Sequence, residues 1–464
     1  QSVGLALHLC YTLCMANFIP YDRSQAFLLP PDLRDWIGDD DLVHFITAAS
    51  ERIDIRAFKV NWRGHGKAQY HPRMMLALLI YCYANGIFSS RRIERATHRD
   101  VAVRFIAADT HPDHDTIATF RRENLEAFTL AFQQVLLLAK ELGLLRLGVV
   151  SIDGTKIDAN ASKNRSVRYD RATALRSRLR TDIAALVAQA EAADSDDAVD
   201  SQALPAEIAR REVLKAKLDE ACARLEVEAS AEAEAKQEAY EEKQQKWEAR
   251  EGRNRGPAPK PPRKTPPAAR QSNLTDPDSK LMRKSMRHEV RQAYNAQAVV
   301  DADGSQLVLT SHVAQTSADG PSFEATINQL CETVGQPDTV LGDAGYANGD
   351  VVGRLEDRGI EVLVAVSRPD NERQYDFRPP KQTAKPPRQV KAPWRIAMQE
   401  KLKTDDAKAK YKRRKHTVEP VFGIIKNVLG FSRFLLRGIE KVKAEWLLVT
   451  LAYNCKRLCN LKAA

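Results

Sequence analysis

The chain has 464 residues, of which 43% are hydrophobic and 28% charged, and its lysines and arginines outnumber its aspartates and glutamates by 71 to 61. This length excludes a small scaffold held together by disulfides and leaves room for roughly two to four domains. The formal net charge of +10 points to an anionic partner, which only local clusters of charge can identify.

The N-terminus and the cysteines bear on the compartment. The seven cysteines show neither a CxxC pair nor the Cys/His spacing of a zinc site, which indicates reduced thiols in the cytoplasm. The stretch Val3–Met15 is apolar, but it has no basic start and is too short to span a membrane, so we expect no membrane partner. We expect Met15 to be the natural start and residues 1–14 to be upstream or disordered, with a genuine N-terminal helix as the alternative.

Residues 15–146 predict an all-helical N-terminal domain. The run Met74–Ile87 is typical of an apolar helix, and Ser89 is a good N-cap for the next one. A further helix is expected from about residue 115 until Gly143. The domain carries arginines that could form either a face for DNA or an ordinary solvated face: Arg91, Arg92, Arg95, Arg121 and Arg122.

The pattern changes to strands after residue 147. The β-branched run Val149–Ile152 meets Asp153-Gly154, which predicts a buried strand that ends in a turn. Residues 170–284 then predict an insertion, in which charged, alanine-rich helices precede the Pro-rich linker Gly256–Arg270.

Strand signals resume after the insertion. Two apolar runs flank Asp301–Gly304, which predicts a β-hairpin. A helix, a short apolar run ending at Asp343, another helix and the strand Val362–Val366 follow. Strands that first pair as a hairpin and then alternate with helices predict an α/β fold with a mixed sheet. We assign residues 147–169 and 285–464 to this one domain.

Two aspartates stand where predicted strands end, Asp153 after VVSI and Asp343 after TVLG. Ligands bind at such strand ends, and a buried carboxylate needs a counter-ion. Oxygen ligands without histidine or cysteine favour Mg²⁺ or Mn²⁺. By pattern alone, however, Asp153 could simply cap a turn, and Asp301 is an equally good strand-end acid.

Glu419 lies within the basic segment Tyr411–Lys426 and could supply a third carboxylate from a helix. If folding brings the three acids together, two metal ions roughly 3.5–4 Å apart could activate a water or a 3′-hydroxyl for attack on a phosphodiester. The metals would let Glu419 tolerate phosphates that the surrounding basic residues hold. The alternative is a surface ion pair between Glu419 and Lys415.

The basic segment also has a predicted geometry. Lys426 follows Glu419 by seven residues, about two helical turns, so both side chains should point the same way. Pro420 predicts that the helix starts or kinks there. Upstream, residues 378–415 hold fourteen lysines and arginines against three acids, together with prolines and Trp394. This run predicts either a flexible basic arm that tracks a nucleic acid and stacks a base, or a solvated linker.

Several motifs together resemble the DDE transposases of bacterial insertion sequences. They are SIDGTKIDANAS around Asp153, YNAQAVVD at Tyr294–Asp301, LGDAGY around Asp343, and YKRRKHTVEPVFGIIK with the following GFSRFLLRGIEKVKAEW. In the N-terminal region NFIPYDRSQ, GHGKAQYHPRMMLALLIYCYANGIFSSRRIE and HPDHDTIATFRR resemble the helical domain of one subgroup. The resemblance implies a ribonuclease-H-like mixed sheet flanked by helices.

The resemblance also implies residue roles. It implies a catalytic, metal-binding triad that holds two Mg²⁺ or Mn²⁺ ions, formed by Asp153, Asp343 and Glu419. It implies a tyrosine–arginine–lysine signature that contacts DNA, formed by Tyr411, Arg414 and Lys426. The broader family pattern places the arginine at the position of Lys415, so Arg414 and Lys415 remain alternatives. The adjacent Lys412 and Arg413 complete the predicted DNA-contacting cluster.

We therefore predict a transposase that cuts the ends of an insertion sequence and joins them to target DNA. A metal-dependent nuclease of the same fold and a non-catalytic DNA-binding protein are the alternatives. Terminal-repeat and target DNA are the expected partners, a homodimer is expected on the DNA, and the resemblance implies a bacterial cytoplasmic location at the nucleoid.

Overall fold

The computed structural model describes residues 32–60, 69–193, 203–249, 257–283, 288–366 and 392–463. The predicted segment 1–14 therefore lies outside the described residues. The described residues up to 146 are mainly helical, as predicted. Its helices are α1 (Leu42–Glu51), α2 (Pro72–Ala84), α3 (Ser90–Arg99), α4 (Val101–Ile106), α5 (His114–Glu123) and α6 (Leu125–Glu141).

Two details of these helices differ from prediction. The single helix expected up to Gly143 is interrupted at Asn124, whose side chain accepts a hydrogen bond from the Lys59 backbone N–H and donates one to the Phe120 carbonyl. Arg121 is buried because its guanidinium donates to the Tyr83 hydroxyl and the Phe88 carbonyl. It is therefore not available to DNA, whereas the other four arginines are exposed.

The middle of the chain contains one long strand and a helical excursion. Its elements are β1 (Val149–Asp158), β2 (Ser166–Arg168), α7 (Tyr169–Ala193), α8 (Ala203–Ala235), α9 (Gln237–Glu248) and β3 (Gln271–Asn273). Helices α7 and α8 pack against each other, and a small core at their base includes Val167, Leu218 and Cys222. The helical insertion is thus present, anchored by the two-stranded pairing of β2 with β3.

The rest of the chain completes the sheet. Its elements are β4 (Lys280–Arg283), β5 (Val290–Asp301), β6 (Val308–Ala314), α10 (Phe323–Thr333), β7 (Thr339–Gly342), α11 (Gly349–Asp357), β8 (Glu361–Val364), α12 (Pro393–Lys401), α13 (Asp405–Lys412), α14 (Val418–Gly423) and α15 (Ile439–Ala463). Strand β4 lies within the range predicted as insertion, yet it pairs with β5.

The sheet is mixed, as expected for a ribonuclease-H-like domain. Its order is β4-β5-β1-β7-β8, and β6 also pairs with β5. The pairings of β5 with β1, β4 and β6 are antiparallel, whereas β7 is parallel to both β1 and β8. The predicted hairpin around Asp301–Gly304 is confirmed as β5–β6, with Gly304 at φ +124°. Asp301 accepts from the Ser305 N–H and hydroxyl, so it holds the turn.

Helix α15 joins the two halves of the molecule. Residues 444–455 are all buried, as expected of a mostly apolar helix that is covered on every side. It packs on β6 on one side and on α2 and α6 on the other, so one apolar core runs from Ile37 to Leu458. The Asn454 amide accepts from the Val308 N–H and donates to the Val308 carbonyl, which fixes the helix to the sheet.

The basic run before Glu419 is more ordered than predicted. Residues 378–391 lie outside the described residues, but α12 and α13 show that the flexible-arm prediction is wrong for 393–412. Trp394 packs against Gly349, where an added Cβ would lie 2.5 Å from the indole Nε1, so its ring contributes to packing. Among the described helices, none combines the length and apolar character needed to cross a bilayer.

Candidate active site

Strand register brings two aspartates side by side. In the parallel pairing of β1 with β7, Ser151 lies opposite Leu341, so two residues further along Asp153 and Asp343 occupy matching positions. Asp343 follows the end of β7, as predicted. Asp153 does not end its strand, because β1 continues to Asp158 through its pairing with β5.

Asp153 is an acid without enough compensating positive charge. Its side chain is 21% exposed, and its Oδ1 accepts from the Gly154 backbone N–H at 2.8 Å. Burial raises the pKa of Asp153 to about 6, and the negative charge of Asp343 adds to the rise; the Gly154 hydrogen bond and Arg414 oppose it. A cation placed between the aspartates would relieve this repulsion.

Arg414 lies between Asp153 on β1 and Glu419 on α14. Its Nη1 lies 3.9 Å from Asp153 Oδ2 and its Nη2 lies 3.9 Å from Glu419 Oε1. These separations exceed hydrogen-bond length, so the guanidinium stands between the two carboxylates without closing on either. Arg414 is only 15% exposed, whereas the neighbouring Lys415 points into solvent. Of the two alternative arginine positions, Arg414 is therefore the one that faces the acids.

Glu419 differs from the aspartates in its setting. Its side chain is 58% exposed, on the first turn of α14. Pro420 lies next to it in that turn, where a proline costs no helical hydrogen bond, so the predicted helix start is close to Pro420. The helix then changes to a π-helical turn over Ile424–Val428, a distortion that is frequent at functional sites.

The other predicted DNA-contacting residues are divided between the site and the surface. Lys426, in the π-helical turn, donates to the Thr155 hydroxyl and the Lys156 carbonyl on β1, close to Asp153. The Tyr411 hydroxyl donates to the Gly342 carbonyl, next to Asp343. Arg413 instead pairs with Asp303 at 2.7 Å, and Lys412 is exposed.

The donor set is chemically suited to a hard divalent cation. Across the described residues, no three histidine, cysteine, aspartate or glutamate side chains converge closely enough to hold a metal ion. The predicted acids are arranged with Asp153 and Asp343 at matching positions of neighbouring strands and Glu419 across Arg414. Carboxylate oxygens fit Mg²⁺ or Mn²⁺, and a bound cation would offset the burial and the like charges that raise the pKa of Asp153.

One acid at this site was missed from the sequence. Asp319 lies in the turn after β6, and its charge contributes to the raised pKa of Asp153. Its Oδ1 accepts from the Lys156 ammonium at 3.3 Å. The surrounding SADGPS gives only a turn signal, so no local pattern could have assigned Asp319 to the site.

Two protein-family models match parts of this sequence. The family described as Transposase DDE domain matches residues 268–455, which include Asp343 and Glu419. The family described as Transposase domain (DUF772) matches residues 31–123, within the helical region. No curated protein and no solved structure matches the chain. The two matched ranges span more than half of the sequence, and the fold agrees with them. The chain belongs to the DDE transposases of insertion sequences.

Proposed function

We propose that this transposase cuts the ends of an insertion sequence and joins the freed 3′-hydroxyls to target DNA, with Asp153, Asp343 and Glu419 as the catalytic acids. The observation that supports this most is the pair of neighbouring aspartates on β1 and β7, with Glu419 across Arg414. Hydrolysis and strand transfer both use an oxygen nucleophile in line with a phosphodiester, so one acidic centre serves both steps.

The acids would hold divalent cations. When bound, one or two Mg²⁺ or Mn²⁺ ions would supply the activation of a water or 3′-hydroxyl and the stabilisation of the leaving oxygen. Asp153 and Asp343 would bind from the sheet, and Glu419 from the helix. Partial burial of Asp153 lowers the local dielectric constant, which would strengthen its attraction for positive charge.

The basic residues would orient the DNA strand over this centre. Arg414 can pair with a phosphate through its planar guanidinium, since it makes no close hydrogen bond to either carboxylate. The exposed Lys412 and Lys415 would add charge contacts outside the reacting centre. Tyr411 and Lys426 are bonded to the strands that carry the aspartates, so they would link DNA contact to the position of the acids. Two element ends would require two protomers.

The experiment combines nicking and joining. The protein is incubated with supercoiled plasmid and Mg²⁺, and separately with labelled DNA carrying its own terminal repeats and a target plasmid. We expect nicking, joined products, and loss of both in Asp343→Asn. Nicking without joining would instead identify a nuclease, and plasmid binding without metal-dependent nicking would identify a non-catalytic DNA-binding protein.

A further inference from the structure

Asp319 occupies a position between the two aspartate-bearing segments. An added Cβ on Gly154, the residue after Asp153, would lie 2.4 Å from Asp319 Oδ1. An added Cβ on Gly345 would lie 3.5 Å from Asp319 Oδ2 and 2.9 Å from Asp343 Oδ1. Two glycines thus leave the space that this carboxylate fills, and Asp319 borders the same small volume as Asp343.

One oxygen of Asp319 is held by several donors. Its Oδ1 accepts from Asn295 Nδ2 at 2.7 Å, Gln297 Nε2 at 3.2 Å and Lys156 Nζ at 3.3 Å. Both amides belong to β5 and are fully buried. The acceptor capacity of Oδ1 is therefore filled by groups that a rigid strand positions.

The other oxygen of Asp319 is left open. Within the described ranges, no donor forms a hydrogen bond with Oδ2. The hydroxyl of the fully buried Tyr346 is influenced by the charges of Asp319, Asp153 and Asp343, yet within the same ranges it has no hydrogen-bond partner. Buried polar groups in native proteins are almost always satisfied, so the Tyr346 hydroxyl indicates a site shaped for an additional polar ligand, and Oδ2 of the partly exposed Asp319 is open on the same side.

The cost of this arrangement also requires an explanation. Among the residues that the structure describes, the buried Asn295 and Gln297 side-chain oxygens have no hydrogen-bond partner, since both amides turn their N–H groups towards Asp319. The charge of Asp319 adds to the rise in the pKa of Asp153, although Asp319 is itself paired with Lys156. A purely structural turn acid would not need to face the other two.

We propose that Asp319 is a positioning residue of the metal centre: Oδ1 is fixed by Lys156, Asn295 and Gln297, and Oδ2 accepts hydrogen bonds from water bound to the cation at Asp153 and Asp343. The inference rests on the proposed function of those two aspartates. Mg²⁺ keeps several of its waters in protein sites, and those waters need acceptors. Loss of such an outer partner typically weakens metal affinity about 10- to 100-fold.

The first variant is Asp319→Asn in the full chain. Asparagine can keep an oxygen towards the three donors, but it puts an NH₂ group in place of Oδ2, which cannot accept a hydrogen bond from water. Mn²⁺ binding to the DNA-free protein, measured by calorimetry and by electron paramagnetic resonance, should weaken about 10- to 100-fold. The Mg²⁺ concentration that half-saturates plasmid nicking should rise by a similar factor.

A matched control is Asp278→Asn. Asp278 is also a partly buried carboxylate, held by Arg224 and by the Gln315 amide, but it lies at α15 and contacts the Ile439 N–H. This variant loses a comparable buried ion pair, so it should change stability and leave Mn²⁺ affinity unchanged. Equal losses of affinity in both variants would overturn the proposal.

A second variant keeps the test decisive if Asp319→Asn does not fold. Lys156→Met removes the cation but leaves the Asp319 carboxylate and its two amide donors. If Asp319 acts on metal-bound water, Mn²⁺ should bind as tightly or more tightly, because a nearby positive charge is gone. If Asp319 serves only to hold Lys156, affinity falls, and the proposal is overturned.

Asp343→Asn separates this inference from the proposed function. Loss of Mn²⁺ binding in Asp343→Asn with unchanged binding in Asp319→Asn would remove the role of Asp319 and leave the metal centre standing. Unchanged binding in Asp343→Asn, or no binding to the unaltered protein, would overturn the metal centre itself and the inference with it.

Discussion

Asp153 in the sheet is a partly buried acid and Glu445 in α15 is a fully buried one, and their neighbours also differ. Glu445 is fully buried and accepts from the backbone N–H groups of Leu435 and Leu436 at 3.0–3.2 Å, and the Arg121 charge opposes its rise in pKa. Asp153 has one backbone donor, a loosely placed Arg414, and further carboxylates beside it.

The difference separates structural from functional burial. Burial raises the pKa of both acids, to about 7 for Glu445 and about 6 for Asp153. Around Glu445 the chain supplies hydrogen-bond donors and an opposite charge, which stabilise the packed state. Around Asp153 it supplies like charges, which cost stability unless a cation binds. Functional sites commonly trade stability in this way.

The largest contrast is expected in catalysis. Asp153→Asn should lower the rate of plasmid nicking about 10⁴-fold, since an asparagine cannot offset the charge of a bound cation. Asp301→Asn is the control, because Asp301 is a buried strand-end acid that only holds the β5–β6 turn. If Asp301→Asn abolished nicking and Asp153→Asn did not, Asp301 would be the catalytic residue and the assignment of Asp153 would be wrong.

The next effect is on stability. Glu445→Ala should lower the free energy of unfolding by about 3–5 kcal/mol, because it leaves two backbone N–H groups without their acceptor and removes the negative charge near the buried Arg121. Urea denaturation followed by circular dichroism measures this. Nicking per folded molecule should persist at low temperature, and its disappearance would mean that Glu445 also serves the active site.

A smaller effect should depend on pH. The pKa of Glu445 is raised in the folded state, so its contribution to stability is complete below about pH 4.5 and is lost as the pH rises to about 7. Glutamine does not titrate. Relative to the unaltered protein, Glu445→Gln should therefore gain about 2–3 kcal/mol in free energy of unfolding between pH 5 and pH 8. A pH-independent difference would mean that Arg121 and the backbone donors fully offset burial.

The smallest effect concerns Asp153 in the absence of metal. Asp153→Asn removes one of several like charges, so it should raise the free energy of unfolding by about 1 kcal/mol in EDTA. Addition of Mg²⁺ should stabilise the unaltered protein and not Asp153→Asn, as thermal melts would reveal. A destabilised Asp153→Asn protein in EDTA would show that Asp153 is a structural acid like Glu445.

Much of the fold follows from local patterns. Apolar periodicity and turn residues predict α2, the β5–β6 hairpin and the short strand before Asp343. The break at Asn124 was missed because it depends on a hydrogen bond to Lys59, which is distant in the chain. Likewise, the extension of β1 beyond Asp153 requires β5 as a partner, which no local signal near Asp153 reveals.

The site shows the same limit. Asp153, Asp343 and Glu419 were chosen from motifs, and the strand register explains why two of them are neighbours. Asp319 was missed and Arg121 was misread, since the groups that they contact lie elsewhere in the sequence. Glu445 did leave a local trace, as a lone acid in the apolar run AEWLLVTLAY.

Helix α15 limits how the roles of the two halves can be separated. Residues 444–455 are enclosed by both β6 and α2. A truncated chain beginning at residue 147 would therefore expose an apolar face of α15 to water and would aggregate. Heating the intact chain should melt both halves in a single step. Any search for residues that recognise element ends must therefore rely on point changes at exposed arginines such as Arg91 and Arg92.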